Sequence, residues 1–296
     1  MKYGVNTAEA LFKTALQYHQ KGQLDQAEQL YSHILCSNGS HFDSLHMLGF
    51  LTCQIGKVED GCELLRKATA VNPLSPECHN NLGKALQDLG KPEEAVNAFQ
   101  KATNLDPRFF LAYSNAANSL NTIGRSEEAV DQCRVAIQLN PSSAEAHNNL
   151  GNAYRKLGKL DEAFTSYRRA IALKPQFAKA HYNLGRIYEG KGKLNEALLC
   201  YKKTVELKPD FAPAHNNLGI VHKDMGNSKD ADVCYRKAVE LNPDFAEAHT
   251  NLGILLSYLG KPEQALECYN RAIEVKADFV EAIGYMADHG ITNGWE

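Results

Sequence analysis

Five histidines recur at one spacing and could, by residue type, bind a metal or act as general bases. They are His79, His147, His181, His215 and His249, separated by multiples of 34 residues. Metal ligands must converge within about 2 Å of one ion, whereas equivalent atoms of stacked repeats lie about 10 Å apart. We therefore expect histidines at the edge of a core. The sequence also has no phosphate-binding loop, Gly-x-Ser-x-Gly turn or His-Glu-x-x-His helix, so we predict no catalytic residue, metal or cofactor.

Eight cysteines could form disulfides or bind a metal, but their spacing argues against both. Cys200, Cys234 and Cys268 share one repeat position, which puts them about 10 Å apart, while a disulfide needs Cα atoms within about 7 Å. The chain has no Cys-x-x-Cys pair. We predict reduced thiols that fill the core as small apolar side chains.

An asparagine occupies one position in six consecutive repeats: Asn81, Asn115, Asn149, Asn183, Asn217 and Asn251. Asparagine inside a helix costs up to about 0.7 kcal/mol relative to alanine, so six in register need a reason. A side-chain amide can both donate to and accept from a peptide backbone, which predicts a row that grips an extended polypeptide. The alternative is that duplication copied an amide that bonds neighbouring repeats. The preceding position varies, which argues against simple copying: Asn80, Ser114, Asn148, Tyr182, Asn216 and Thr250.

The elements that position these residues follow from a glycine at every thirty-fourth residue, from Gly22 to Gly260. A strict period of this length indicates stacked structural repeats. We predict an N-terminal tail over residues 1–7, eight repeats over 8–279, and a partial ninth repeat or capping helix over 280–296. The eight repeats start at residues 8, 42, 76, 110, 144, 178, 212 and 246. Positions within a repeat are numbered below from its first residue.

Each repeat reads as two helices, as repeat 5 illustrates. Apolar residues at helical spacing form a first stripe, at His147, Leu150, Gly151 and Tyr154, and a second stripe, at Ala163, Tyr167, Ala170 and Ile171. Gly158 separates helix A from helix B and is expected to be left-handed. Small residues at positions 8 and 20 should let the helices approach, with the position-24 aromatic filling the space beside them. Alanine replaces the position-8 glycine in three repeats, at Ala15, Ala117 and Ala287, and Thr7 is a candidate N-cap of the first helix.

This pattern resembles the tetratricopeptide repeat (TPR), whose signature matches Leu150, Gly151, Gly158, Ala163, Tyr167, Ala170 and Pro175. The resemblance implies an all-α fold, a right-handed superhelical solenoid of antiparallel helix pairs, in which helix A lines a concave groove. Six asparagines would then span about 15 residues of extended peptide, at about three per repeat. Further residues expected to face the groove are Asn152, Arg155, Tyr182 and Arg186, and Tyr182 is placed to stack on a ligand.

The groove predicts a non-catalytic scaffold that binds a protein or peptide in extended conformation. The asparagine row is also similar to that of O-linked N-acetylglucosamine transferases, which implies an alternative: the substrate-recruiting region of a larger glycosyltransferase whose catalytic domain is absent. The clamp that TPR co-chaperones use for acidic C-termini needs lysine at position 5 and arginine at position 6. This chain has neither, so we do not favour a co-chaperone.

Charge and hydropathy limit the other classes of partner. The net charge is −3, and we read acidic and basic residues as interspersed, which predicts no binding to nucleic acid. No apolar run approaches the roughly 20 residues needed to cross a bilayer, and no secretory signal is recognisable. We therefore expect a cytoplasmic protein without a membrane partner, and we leave self-association open.

Overall fold

The computed structural model describes residues 2–276, and all regular structure in that range is helical. Contacts between Cα atoms divide the chain into two compact units: unit 1, residues 1–163, and unit 2, residues 164–296. The first helices of the pairs are α1 (Lys2–Gln20), α3 (Phe42–Gln54), α5 (Pro76–Asp88), α7 (Phe110–Thr122), α9 (Ala144–Lys156), α11 (Ala178–Gly190), α13 (Ala212–Asp224) and α15 (Ala246–Tyr258). The second helices are α2 (Leu24–Ser37), α4 (Val58–Val71), α6 (Pro92–Leu105), α8 (Ser126–Leu139), α10 (Leu160–Leu173), α12 (Leu194–Leu207), α14 (Ser228–Leu241) and α16 (Pro262–Val275).

Each unit is a stack of helix pairs. In unit 1 each helix A from α1 to α7 packs on its own helix B, and each helix B packs on the next helix A. The same order holds in unit 2 from α11 to α16. Each helix therefore buries its apolar stripe against sequence neighbours, as expected of a repeat array. The all-α fold of antiparallel helix pairs is thus confirmed.

The eight periodic glycines end helix A in the left-handed conformation, as predicted for Gly158. Their φ angles lie between 68° and 88°. At Gly90, the next amide, Lys91 N, donates to Leu86 O at 2.9 Å, which is the hydrogen bond of a Schellman motif. A Cβ added at Gly90 would meet no heavy atom within 4 Å, so this glycine is needed for its φ angle and not for space.

The position-8 glycines, in contrast, are needed for space, because they make room for the position-24 ring. A Cβ added at Gly83 would lie 2.5 Å from the ring of Phe99, and one at Gly219 would lie 2.6 Å from the ring of Tyr235. The predicted close approach is therefore confirmed. In repeat 4, where Ala117 replaces the glycine, position 24 is the smaller Cys133, and both side chains are fully buried.

The periodic histidines connect helix A to the preceding turn through a hydrogen bond. In each of the five repeats concerned, the histidine Nε2 lies within hydrogen-bond distance of the carbonyl oxygen of the preceding repeat's proline. The pairs are His79–Pro73, His147–Pro141, His181–Pro175, His215–Pro209 and His249–Pro243, at 2.9 to 3.3 Å. One ring nitrogen must carry the proton, so these rings act as donors that satisfy a backbone carbonyl. His79 is buried, and the other four are half-buried, consistent with the core edge.

Two sequence predictions need correction. Helix α1 begins at Lys2, so Thr7 lies inside it and does not mark the start of the first helix. Residues 2–7 contain no proline, so nothing in this segment stops the helix before Thr7. Cys36 is exposed, although Cys62, Cys78, Cys133, Cys200 and Cys234 are buried as expected. Ala287 and the proposed cap over 280–296 lie outside the described residues.

Candidate peptide-binding face

The asparagine row of unit 1, Asn81, Asn115 and Asn149, is bonded to the preceding repeats. Each side chain is half-buried, and each Nδ2 contacts position 5 of the repeat before it. Asn115 donates to Asn80 Oδ1 at 2.9 Å, and Asn149 donates to Ser114 O at 3.0 Å. Asn81 lies 2.9 Å from His46 Nε2. Burial lowers the pKa of His46, which favours the neutral ring that can accept this bond.

Position 12 completes a polar seam between successive A helices of unit 1. Gln87 donates to the backbone oxygen of Asn115 at 3.2 Å and to Ser119 Oγ at 2.6 Å. Asn121 Nδ2 donates to the backbone oxygen of Asn149 at 3.1 Å. Sequence reasoning missed these partners, although buried small polar residues at position 5 and amides at position 12 were the available signal. The inter-repeat role of the asparagines, left open above, is therefore present in unit 1.

The asparagine row of unit 2, Asn183, Asn217 and Asn251, is also half-buried. Asn251 Nδ2 donates to Asn216 Oδ1 at 2.9 Å, repeating the arrangement of unit 1. Asn217 differs, because its Nδ2 donates to the Tyr201 hydroxyl at 3.1 Å. The position-5 residue of the preceding repeat is Tyr182, whose ring offers no comparable short acceptor.

Four of these amides keep an oxygen that the protein does not use. Within the described part of the chain, the Oδ1 atoms of Asn81, Asn115, Asn149 and Asn251 make no hydrogen bond, although the same side chains donate through Nδ2. The donated bond fixes each amide, so its oxygen is presented in one orientation. Such an oxygen can accept one backbone N–H from a ligand.

Two predicted site residues lie beside this row in unit 1, on α9. Asn152 and Arg155 are both half-buried. The Nε atom of Arg155 is buried and finds no hydrogen-bond partner in residues 2–276. A buried guanidinium donor without an acceptor is costly, and a backbone carbonyl or carboxylate from a ligand would satisfy it.

The other predicted residues, Tyr182 and Arg186, form a cluster in unit 2. The Tyr182 ring meets Phe211 edge-on at 5.1 Å and packs on Tyr201 at 5.8 Å. The Arg186 guanidinium lies 6.0 Å from the Tyr182 ring centroid. Tyr182 is therefore held by its own neighbours on two sides, and its half-buried ring offers less free surface for stacking than expected.

Glu189 and Tyr201 complete this cluster, and sequence reasoning did not select either. The Tyr201 hydroxyl donates to Glu189 Oε2 while accepting from Asn217. Burial raises the pKa of the Glu189 carboxyl, and burial with the nearby carboxylate also raises the pKa of Tyr201. The side chains of Glu189, Tyr201 and Asn217 thus form one continuous hydrogen-bond chain.

Neither a metal-binding cluster nor a membrane span is found among the described residues. No group of three or more histidine, cysteine, aspartate or glutamate residues within it could hold a metal ion. Burial raises the pKa of the Cys133 thiol to about 12, far from the range of a reactive thiolate. No described helix combines the length and apolar composition required to cross a bilayer.

Family models recognise the repeats directly. Models described as tetratricopeptide repeat match residues 9–37, 76–109, 178–211, 212–245 and 246–279. A model described as TPR repeat matches residues 117–158 and 151–192. No curated protein matches the chain by sequence.

Solved structures with the same fold include the hetero-tetramer Cut9–Hcn1 of the APC/C, with a TM-score of 0.74 and 16% identity. That match covers 90% of this chain and 52% of the other, so the chain spans about half the length of that relative. PilF of Pseudomonas aeruginosa matches with a TM-score of 0.64 and 18% identity, over 72% of this chain and 97% of PilF.

A further match is YrrB, described as a TPR protein with an unusual peptide-binding site. Its TM-score is 0.51 and its identity 26%, over 65% of this chain and 99% of YrrB. None of these three relatives is described as an O-linked N-acetylglucosamine transferase, so that likeness stays a prediction. Because the matched family models cover most of its residues, the chain belongs to the tetratricopeptide-repeat family.

Proposed function

We propose that the chain is a non-catalytic scaffold that binds an extended polypeptide along its A helices. The observation that carries this proposal is that the amide nitrogen of the asparagine is hydrogen-bonded within the described part of the chain whereas its amide oxygen is not. The Nδ2 of Asn115 is fixed by Asn80, while its Oδ1 has no partner among the described residues. An acceptor held in place before binding loses little conformational entropy when a peptide arrives.

The repeat spacing suits a main-chain ligand. Repeats stack about 10 Å apart, and an extended chain rises about 3.3 Å per residue. Every third peptide N–H can therefore meet an asparagine oxygen within one unit. Because the contact is to the backbone, the row selects an extended conformation instead of a particular side chain.

Arg155 adds a second kind of contact to this face. Its buried Nε lacks an acceptor in the described range, so a peptide carbonyl or carboxylate bound there would remove a desolvation penalty. The similarity to YrrB, described as having a peptide-binding site, also supports a peptide ligand. The partner we propose is thus a polypeptide and not nucleic acid or a membrane. A recruiting region of a larger glycosyltransferase would use the same face, but no observation favours it.

The test uses a 15-residue peptide selected from a displayed random library against the whole chain and then labelled with fluorescein. We expect Asn115→Ala to weaken binding by roughly fivefold, the value of one hydrogen bond of about 1 kcal/mol. Methylating the backbone nitrogen that faces Asn115 should weaken binding by a similar factor. Fluorescence anisotropy measures both, and circular dichroism checks that the variant keeps its helices.

The matched control is Asn97→Ala, which truncates an exposed asparagine on the helix-B side of the array. It should leave affinity unchanged. Equal affinity of the wild type and a folded Asn115→Ala variant, with no effect of backbone methylation at any peptide position, would remove the asparagine row from the mechanism.

A further inference from the structure

Basic residues are concentrated in one part of unit 2. Residues 164–208 contain ten lysines and arginines but three acidic residues, whereas the rest of the chain contains 22 basic and 32 acidic residues. The expectation of interspersed charge is therefore wrong for this segment, because that expectation was based on the charged residues of the whole chain. A basic segment in an otherwise acidic chain creates a local positive potential.

On several other B helices, a cation is paired with an acid of the same helix. In repeat 2, Lys67 Nζ lies 2.7 Å from Glu63, four residues earlier. In repeat 7, Arg236 lies 2.9 Å from Asp232. These intrahelical pairs neutralise the outer surface of the helix.

The pairing acid is missing from repeats 5 and 6. The position that Glu63 holds in repeat 2 is Thr165 in repeat 5 and Leu199 in repeat 6. Arg168, Arg169 and Lys202 are exposed and make no ion pair within the described residues. Lys203 reaches Glu206 instead, at 2.6 Å. The Leu199 side chain is 68% exposed, so this apolar residue lies at the surface of a helix that carries Lys202 and Lys203.

Arg168, Leu199 and Lys203 line a groove of about 480 Å³ between α10 and α12, with α11 as its floor. Ile171, Leu184 and Leu199 supply apolar lining, while Arg168 and Lys203 supply its cations. Glu196 is the single acid in that lining. The helix-B groove, as we call this site, therefore combines an apolar wall with positive charge.

We propose that the helix-B groove docks an acidic segment of a partner protein, with an apolar side chain placed between carboxylates. Its carboxylates would pair with Arg168 and Lys203, and its apolar residue would cover Leu199. Complementary charge guides such an encounter and fixes its orientation, while the buried apolar contact supplies affinity. Nucleic acid would satisfy the cations but would leave the exposed leucine uncovered.

The probe is a fluorescein-labelled 12-residue peptide of alternating glutamate and leucine, titrated into the whole chain. Leu199→Glu is the key variant, because it recreates the acid of repeat 2, four residues before Lys203. We expect it to keep the fold and to weaken binding roughly tenfold or more, as expected when one buried leucine contact is lost. Arg168→Glu should weaken binding at low salt, with the difference shrinking as ionic strength rises.

Val233→Glu is the matched control, since Val233 holds the same position in repeat 7 and is 66% exposed. There Arg236 is already bridged to Asp232 and Lys237 to Glu240, so affinity should stay within about twofold, as for a surface change outside an interface. Asn217→Ala should also leave it unchanged, which separates this groove from the asparagine face.

Three outcomes would overturn the proposal. One is equal affinity of the wild type and a folded Leu199→Glu variant for the peptide. Another is equal binding of a peptide with lysine in place of glutamate. The third is a 12-base-pair DNA duplex that binds more tightly than the peptide and ignores Leu199→Glu, which would identify a phosphate-binding surface.

Discussion

Two members of the asparagine row, Asn115 in unit 1 and Asn217 in unit 2, have different hydrogen-bond partners. In unit 1, Asn115 donates to a small polar residue at position 5, and Gln87 from the preceding repeat bonds its backbone oxygen. In unit 2, Asn217 faces Tyr182 at the equivalent place and donates to the Tyr201 hydroxyl. The Tyr201 hydroxyl in turn donates to Glu189.

This difference shows that the neighbours of an asparagine decide which of its atoms a ligand can use. A small acceptor at position 5 holds the Nδ2 and leaves the oxygen unused, as at Asn115. A bulky ring at position 5 redirects the amide into a side-chain cluster. Asn216 Nδ2 also approaches Asn217 Oδ1 at 3.4 Å, so this oxygen is less available than that of Asn115.

The largest effect should come from removing the hydroxyl that closes the unit 2 cluster. Tyr201→Phe leaves the half-buried Glu189 carboxylate without its donor, and we expect a loss of about 2 kcal/mol in the free energy of unfolding, typical of a hydrogen bond to a charged group. Chemical denaturation followed by circular dichroism measures it.

Tyr235→Phe is its matched control. The Tyr235 ring holds the same repeat position and is fully buried, but its hydroxyl has no hydrogen-bond partner among the described residues. Removing an unsatisfied buried hydroxyl should leave stability equal or increased. If Tyr235→Phe destabilised as much as Tyr201→Phe, the Glu189–Tyr201–Asn217 chain would not be the source of the difference.

A smaller effect is expected in the seam of unit 1. Gln87→Ala removes the bonds to Asn115 O and Ser119 Oγ, and we expect a loss of about 1 kcal/mol in the free energy of unfolding. Gln100→Ala is the comparison, because Gln100 is exposed and bonds only to Thr103 and Asn104 of its own helix. That change should stay within about 0.5 kcal/mol, and equal losses would count against an inter-repeat role for Gln87.

The smallest effect is a pH dependence from Glu189. Burial raises the pKa of its carboxyl in the folded state, so folding favours the protonated form. The associated stability is fully present below the unfolded pKa, about 4.3 for glutamate, and is lost as the pH rises through the folded value.

Glu189→Gln cannot titrate and should lack this component. The free energy of unfolding of the wild type, relative to this variant, should therefore fall as the pH increases above about 4.3. A constant difference across that range, measured by denaturation at each pH, would show that the Glu189 carboxyl has the same pKa in both states.

Much of the fold could be predicted because the same residue types recur at the same positions of each repeat and have the same local structural effect. The glycine period, including Gly158, predicted the left-handed ends of the A helices, and the small residues at position 8 predicted contact with rings such as Tyr235. Seven of the eight predicted repeat starts, at residues 42, 76, 110, 144, 178, 212 and 246, coincide with the first residue of a helix A. The start of α1 was not predicted, because residues 1–7 contain no proline of the kind that precedes most other A helices.

The candidate site was less predictable because it depends on contacts between repeats. The sequence indicates that Asn115 is periodic, but it does not reveal that its Nδ2 reaches residue 80 while its oxygen stays unused. Likewise, the sequence predicts that the Tyr182 ring stacks on a ligand, whereas in the structure this ring packs on Tyr201 and Phe211. Pairings 19 to 35 residues apart depend on three-dimensional geometry that periodicity alone does not specify.

The most direct measurement is a nuclear magnetic resonance titration that follows the side-chain amide signals of asparagine in the labelled whole chain. A 15-residue peptide selected for binding is the ligand. We predict that the signals of Asn81, Asn115 and Asn149 shift in proportion to the fraction of the chain bound to peptide, while the signal of Asn97 on the helix-B side does not shift. Saturable binding that leaves all six periodic asparagine signals unmoved would contradict it.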